Sequence, residues 1–266
     1  MATRESLLTP NTTALDWRDI KINRIGMDDL KHALRRGLED FRQMPTHLVI
    51  LALAYPIFGL IAARWAFGEK LTPLLFPLVS GFALVGPLAA VGLYELSRRR
   101  EAGLATSWSD VRRVLDAPSL MTLIQIGALL LGLFFAWLYS AMAIMAWAYP
   151  QGEPATLGEF YRSLFTTTSG LKLILVGNFV GFLFALAVLA MSVVSLPMTL
   201  DRHVDAPTAL AASIKAFATN TGTMARWGLI VTAALVLGAL PLLVGLAVVV
   251  PVLGHATWHL YRRLVA

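Results

Sequence analysis

The sequence predicts an all-α, polytopic integral membrane protein with six transmembrane helices, interfacial amphipathic helices and a parallel internal repeat. Of its 266 residues, 57% are hydrophobic and only 14% are charged, too little polar surface for a soluble chain of this length. Apolar runs of about 20 residues, enough to cross roughly 30 Å of hydrocarbon, recur between charged or turn-forming segments. The charges gather in those intervals instead of being spread over a globule. Cysteine is absent, which excludes disulfides, thiolate nucleophiles and cysteine-ligated zinc or iron–sulfur centres.

Four runs are plain, at about 47–67, 71–94, 119–146 and 171–196. The last apolar stretch, Trp227 to Leu260, holds no Lys, Arg, Asp or Glu and as one helix would be about 50 Å long, too long for a single crossing. Pro241 lies near its middle, where a missing N–H and a ring clash break helices, so the stretch divides into spans at about 225–240 and 243–260. Residues 1–46 are polar and lack a short apolar core with a cleavage site, so the first span reads as an uncleaved anchor. The expected organisation is a polar cytoplasmic segment at 1–26 followed by one membrane domain at 27–266.

Charge sets the orientation. Eighteen of the 22 Lys and Arg fall in the N-terminal segment, the 95–118 and 197–226 loops and the tail. Arg64, Lys70, Arg162 and Lys172 fall on the other side with Glu69, Glu153 and Glu159. Positive charge stays cytoplasmic, so both termini are expected in the cytoplasm. The net charge of +6 is accounted for in this way, without nucleic acid.

Met27, Leu30, Leu34, Leu38, Phe41 and Met44 recur at helical spacing among charged neighbours that include Asp40, and predict a helix lying along the cytoplasmic interface. Leu210, Ile214, Phe217 and Thr221 predict a second one after Asp205, with Pro207 in its first turn. Trp108, Val111 and Leu115 suggest a shorter version. On the other side, Thr156 and Glu159 have capping-box spacing before Phe160, Tyr161, Leu164 and Phe165.

The internal repeat rests on Pro77, Gly81, Pro87, Tyr94, Leu96, Arg98 and Arg99. Their counterparts 164 residues later are Pro241, Gly245, Pro251, Trp258, Leu260, Arg262 and Arg263. Upstream, Leu34, Leu38 and Phe41 match Leu210, Ile214 and Phe217 at an offset of 176, giving copies at about 27–100 and 205–266. Both copies enter from one side, as parallel repeats do. Backbone groups freed at the prolines must be satisfied by neighbouring helices or water, so the kinks mark packed or cavity-lining surfaces. No ionisable side chain sits at mid-depth in any span, the usual mark of ion coupling. Gln125 and Asn178 are positioned to hydrogen-bond between adjacent spans, and Gly177, Gly181 and Ala185 form a small-residue stripe for close helix approach.

His255 and His259, four residues apart, share one helix face, a geometry that a metal or haem pair uses, although no third ligand is evident. No phosphate loop, nucleophile elbow or zincin helix is present. Pro197 is expected to end the fourth span. Asp201 is expected to cap or pair at the surface with Arg202, Arg98 or Arg262, and Ser213 and Asn220 to bond backbone nearby.

The segment Ser195-Leu196-Pro197, then Asp201, Ala209, Ser213 and Asn220, resembles a pattern shared by many multispan bacterial proteins, including the membrane domain attached to some glycerophosphodiester phosphodiesterases. Ile22-Asn23-Arg24-Ile25, the amphipathic helix after it and the closing Gly254-His255-Ala256-Thr257-Trp258-His259-Leu260-Tyr261-Arg262-Arg263 more closely resemble a narrower family. That family is the predicted integral membrane proteins of proteobacteria catalogued as a domain of unknown function. The resemblance covers roughly residues 18–266 and implies an inner-membrane location and six spans. It transfers no catalytic residue, and the phosphodiesterase's own catalytic domain is not in this sequence. The expectation is therefore a non-enzymatic accessory, assembly or scaffold subunit of a larger membrane complex, a respiratory one among the candidates. It would contact lipids and other integral membrane subunits and need no cofactor. The alternative is a small permease or lipid-handling protein with a site between the kinked helices.

Overall fold

The computed structural model describes residues 16–44, 75–152, 154, 156–241 and 244–266, so the span expected at 47–67 lies outside the described residues. The helices are α1 (Met27–Gln43), α2 (Leu75–Ala89), α3 (Val91–Glu101), α4 (Leu120–Ala148), α5 (Leu157–Thr166), α6 (Thr168–Ser192), α7 (Ser195–Arg202), α8 (Ala206–Thr219), α9 (Thr221–Ala239) and α10 (Leu246–Leu264), with a 3-10 turn at Trp108–Val114. Short polar side chains set several starts by accepting otherwise unpaired N–H groups. Asp205 accepts from Thr208 N at 3.0 Å, Thr156 from Glu159 N at 3.2 Å and Thr167 from Gly170 N at 3.0 Å.

Among the described residues, three helical stretches are long and apolar enough to cross a membrane: Leu120–Ala148, Thr168–Arg202 and Thr221–Ala239. Of the span expected at 71–94, the described part from Leu75 onward is two helices, with a turn at Ala90 three residues after Pro87, which lies inside α2. Pro197 does not end the fourth span as expected. The helical path breaks earlier, at Val193–Val194, and Pro197 sits buried in the first turn of α7, where a missing N–H costs nothing. Ser213 of α8 accepts from Val194 N at 3.1 Å, so the backbone group at the break is satisfied.

Trp137 of α4 organises the packing of α2, α4 and α6. Its indole N–H donates to Pro77 O at 2.9 Å. A Cβ on Gly81 would lie 2.6 Å from the Phe134 ring, and one on Gly181 would lie 3.1 Å from Trp137. These glycines are clearances for aromatic rings. Gln125 and Asn178 are exposed and, among the described residues, make no bond between spans; Asn178 donates to Ile174 O of its own helix at 2.7 Å.

Pro241 lies in the turn between α9 and α10, and Val244 N donates to Pro241 O at 3.0 Å. The two helices fold onto one another so closely that a Cβ on Gly245 would lie 2.7 Å from Gly238 O. Pro251 lies buried inside α10.

The N-terminal helix differs most from expectation. α1 lies lengthwise against α10, antiparallel to it, with a contact line that the apolar spacing did not give in full. Arg263 reaches Asp29 at 2.7 Å, and Gly37 meets Val252 and Ala256 further along. Its buried line is Leu30, Ala33, Gly37, Asp40 and Met44, at three- and four-residue spacing, while Met27 is exposed and Leu34, Leu38 and Phe41 are only partly covered. Ala33 and Gly37 at the middle of this line let the two backbones approach, with Leu30 and Met44 filling the space to either side. α8 repeats the lesson. Its buried face is Ala206, Ala209, Ala212, Ser213 and Ala216, while Ile214 is exposed.

Ahead of α1, the chain is laced to the far end of the sequence. Ile22 pairs with Val265 in an antiparallel bridge, Asn23 N donates to Leu264 O at 2.8 Å, and Asn220 accepts from Ile25 N at 2.9 Å while donating to Asn23 O at 3.0 Å. Residues Ile22 to Ile25 are therefore a structural tie between the N-terminal segment, the tail and the α8–α9 corner.

A Cβ on Gly37 would lie 2.6 Å from Ala256 N and 2.7 Å from Val252 O, backbone atoms that cannot yield cheaply. Gly37→Ala is expected to destabilise the protein by about 1–3 kcal/mol, read as a fall in Tm in detergent. Gly26→Ala, with nothing near its Cβ, should change it little.

Candidate functional site

The chemistry-bearing side chains converge where α1, α3 and α10 meet. α3 ends in Arg98, Arg99 and Arg100 and α10 in Arg262 and Arg263, so this is a water-proximal end of the bundle and not mid-membrane. At its centre is Asp40, 1% exposed.

Asp40 Oδ2 accepts from Ser97 Oγ at 2.6 Å and from His259 Nε2 at 2.9 Å, and Oδ1 accepts from the Arg100 guanidinium. Ser97 Oγ also lies 2.7 Å from His255 Nδ1. The serine has one proton and a carboxylate only accepts, so Ser97 gives its proton to Asp40 and receives one from His255 Nδ1–H. The same reasoning puts the His259 proton on Nε2. The result is one directed chain, from His255 through Ser97 to Asp40, with His259 and Arg100 closing on the same carboxylate. Burial would raise the Asp40 carboxyl, but hydrogen bonds from His259 and Ser97, with the charge of the neighbouring histidines, hold it below the ordinary aspartate value.

A second ring surrounds this centre. Glu101 of α3 accepts from Trp258 Nε1 at 2.9 Å and Arg262 Nε at 3.2 Å. Asp201 of α7 accepts from Tyr261 OH at 2.6 Å and Arg262 at 3.3 Å, with Arg202 at 4.0 Å. The last turns of α10 thus reach α1, α3 and α7 in succession. Of the partners expected for Asp201, Arg202 and Arg262 lie beside it; Arg98 pairs with Glu95 at 2.7 Å.

Among the residues singled out in the sequence, His255, His259 and Asp201 belong to this site. Pro77, Gly81 and Gly181 meet instead around Trp137, Pro241 and Gly245 belong to the α9–α10 turn, and Gly177 faces open space. The two histidine nitrogens that face Asp40 and Ser97 are held in hydrogen bonds, and the described residues contain no group of three or more His, Asp or Glu placed to hold a metal ion.

Sequence reasoning missed Asp40, Ser97, Arg100, Glu101, Trp258 and Tyr261 as site residues. One signal was present for Asp40. It continues the small-residue line of Ala33 and Gly37, so a charge falls on the face that packs most closely.

The folded-state carboxyl of Asp40 titrates below its unfolded value. Its stabilisation is therefore present above about pH 4 and is lost as pH falls through the depressed value. Asp40→Asn is expected to cost about 3 kcal/mol at pH 7, because Arg100 loses its buried counter-charge. The gap to the parent protein should begin to narrow below pH ~4, as read by thermal unfolding in detergent across pH 3–8.

No curated protein and no solved structure matches the chain. Residues 75–201 match the model of a family described as predicted integral membrane protein (DUF2189), which is the unknown-function membrane family that the sequence resembles.

Proposed function

We propose that the protein is a non-enzymatic accessory, assembly or scaffold subunit of a larger complex in the bacterial inner membrane. The observation that carries this reading is how its polar side chains are used. Asp40, Ser97, His255 and His259 bond to one another, and Glu101 and Asp201 bond to the end of α10, so groups of catalytic type are engaged in joining helices. Ser97 is fully buried, so its hydroxyl is shielded from any substrate.

The outward surface supports the same reading. α4, α6 and α9 present Phe135, Tyr139, Phe179, Phe182 and Leu237, large apolar side chains suited to lipid or to the apolar faces of partner subunits. Six crossings follow if the three long apolar helices are joined by α2–α3, α10 and the 47–67 run. The basic ends of α3 and α10 then share the cytoplasmic side with both termini. The parallel repeat is supported by matched environments. Tyr94 and Trp258 are both buried, as are Leu96 and Leu260, Arg98 and Arg262 are both ion-paired, and Pro87 and Pro251 both lie inside helices. The permease reading has less support, because the space beside Gly81 is filled by Phe134 and that beside Gly245 by the Gly238 backbone.

Purification from membranes in mild detergent, followed by native mass spectrometry, is expected to yield the chain with stoichiometric membrane-protein partners. A partner-free monomer in several detergents would contradict the proposal.

A further inference from the structure

The end of the bundle where α4 stops and α6 begins is built differently from the end that holds Asp40. α5 is braced between the two spans. Tyr149, just past the end of α4, has its hydroxyl 2.7 Å from Ser163 Oγ and its ring 6.2 Å from that of Phe160. A Cβ on Gly170, in the first turn of α6, would lie 2.2 Å from Ser163 O, so α5 folds back directly onto the start of that span. A single extended residue, Thr167, separates α5 from α6, which fixes a sharp corner and leaves α5 no freedom to continue the span.

What α5 leaves uncovered is ordered around its circumference. Phe160 faces the protein, whereas Tyr161 is 53% and Phe165 81% exposed. With 3.6 residues per turn, Tyr161 and Phe165 share one edge, and Glu159, Arg162 and Thr166, all exposed, lie toward the other. The spans themselves end in a further exposed aromatic ring. Trp147, in the last turns of α4, is 54% exposed, and Lys172 of α6 places its ammonium 5.2 Å from the Trp147 ring centroid. Amphipathic rings flanked by a cation at the ends of apolar spans fit the headgroup layer, where one part of each side chain is apolar and the other wet.

We propose that α5 is a membrane-surface helix that seats Tyr161 and Phe165, together with Trp147 and Lys172, in the phospholipid headgroup layer and so fixes the depth of the α4–α6 pair. The occupant is lipid and not protein, because Tyr161, Phe165 and Trp147 are exposed aromatic rings at the ends of apolar spans with the Lys172 ammonium beside one of them, the side-chain chemistry that suits the headgroup layer. Lys172 supplies positive charge for lipid phosphate, and Glu159 and Arg162 face the watery edge. This goes beyond the accessory-subunit reading and does not depend on a partner being found.

The absence of cysteine makes a direct test available. Tyr161→Cys, Phe165→Cys and Thr166→Cys, each carrying one nitroxide label in the full chain, are reconstituted into phosphatidylethanolamine–phosphatidylglycerol vesicles. Accessibility to oxygen and to a water-soluble nickel chelate is then measured by electron paramagnetic resonance. The labels at 161 and 165 are expected to favour oxygen over nickel severalfold relative to the label at 166. Equal nickel access at all three positions would overturn the proposal, because α5 would stand in water. Shielding of 161 and 165 from both reagents would overturn it in favour of a protein contact. All three side chains are exposed, so substitution leaves the core intact, and a monodisperse profile in detergent verifies it.

Discussion

A carboxylate removed from water costs several kcal/mol unless its lone pairs are met by donors and its charge by a cation. Asp40 meets that condition only where α1, α3 and α10 come together, because Ser97 and Arg100 stand on one neighbour and His259 on the other. The requirement ties the first helix to the last and both to α3. The Gly37 contact, the Arg263–Asp29 pair and the Ile22–Val265 bridge are consistent consequences of that seating along the same helix pair. Apolar packing alone would permit α1 to slide along α10; a hydrogen-bonded charge at one position selects a register.

The bundle thus has two ends with different physical jobs. At one, charged groups are drawn inward and matched, with Glu101 and Asp201 extending the pairing around the last turns of α10. At the other, aromatic groups are turned outward around α5. Between them the packing is made by small residues that clear space for rings, as at Gly81 and Gly181 beside Phe134 and Trp137. The polar network buried around Asp40 rigidifies that end while leaving the spans free to present an apolar exterior to lipid or partners.

Much of the fold was legible because the bilayer imposes length and composition on a span. The α4, α6 and α9 helices follow directly from their apolar runs, the helix starts at Thr156 and Asp205 from capping chemistry, and the break before α10 from Pro241. The faces of the amphipathic helices were not legible in the same way. Reading large apolar residues as the packed stripe holds only in part: Leu30 and Met44 of α1 are buried and Leu210 and Phe217 of α8 pack against the core, but Met27 and Ile214 are exposed, and the buried lines also run through Ala33, Gly37, Ala209 and Ala212. The site was legible in halves. His255 and His259 share a face by spacing, and Asp201 and Arg262 were expected neighbours, but Asp40 lies 219 residues from His259 and no local pattern connects them. Partners far apart in sequence are fixed by tertiary packing, which periodicity does not record.

The account stands on Asp40 acting through His259 to hold α1 against α10, and a double-mutant cycle measures that coupling. The stabilities of the parent, Asp40→Asn, His259→Phe and the double variant, determined at pH 7 in one detergent, give an interaction term. A coupling of about 1–3 kcal/mol is predicted, the double variant losing less than the sum of the single ones. Additive losses would mean that the two side chains act independently and that the seating of α1 rests on apolar packing alone.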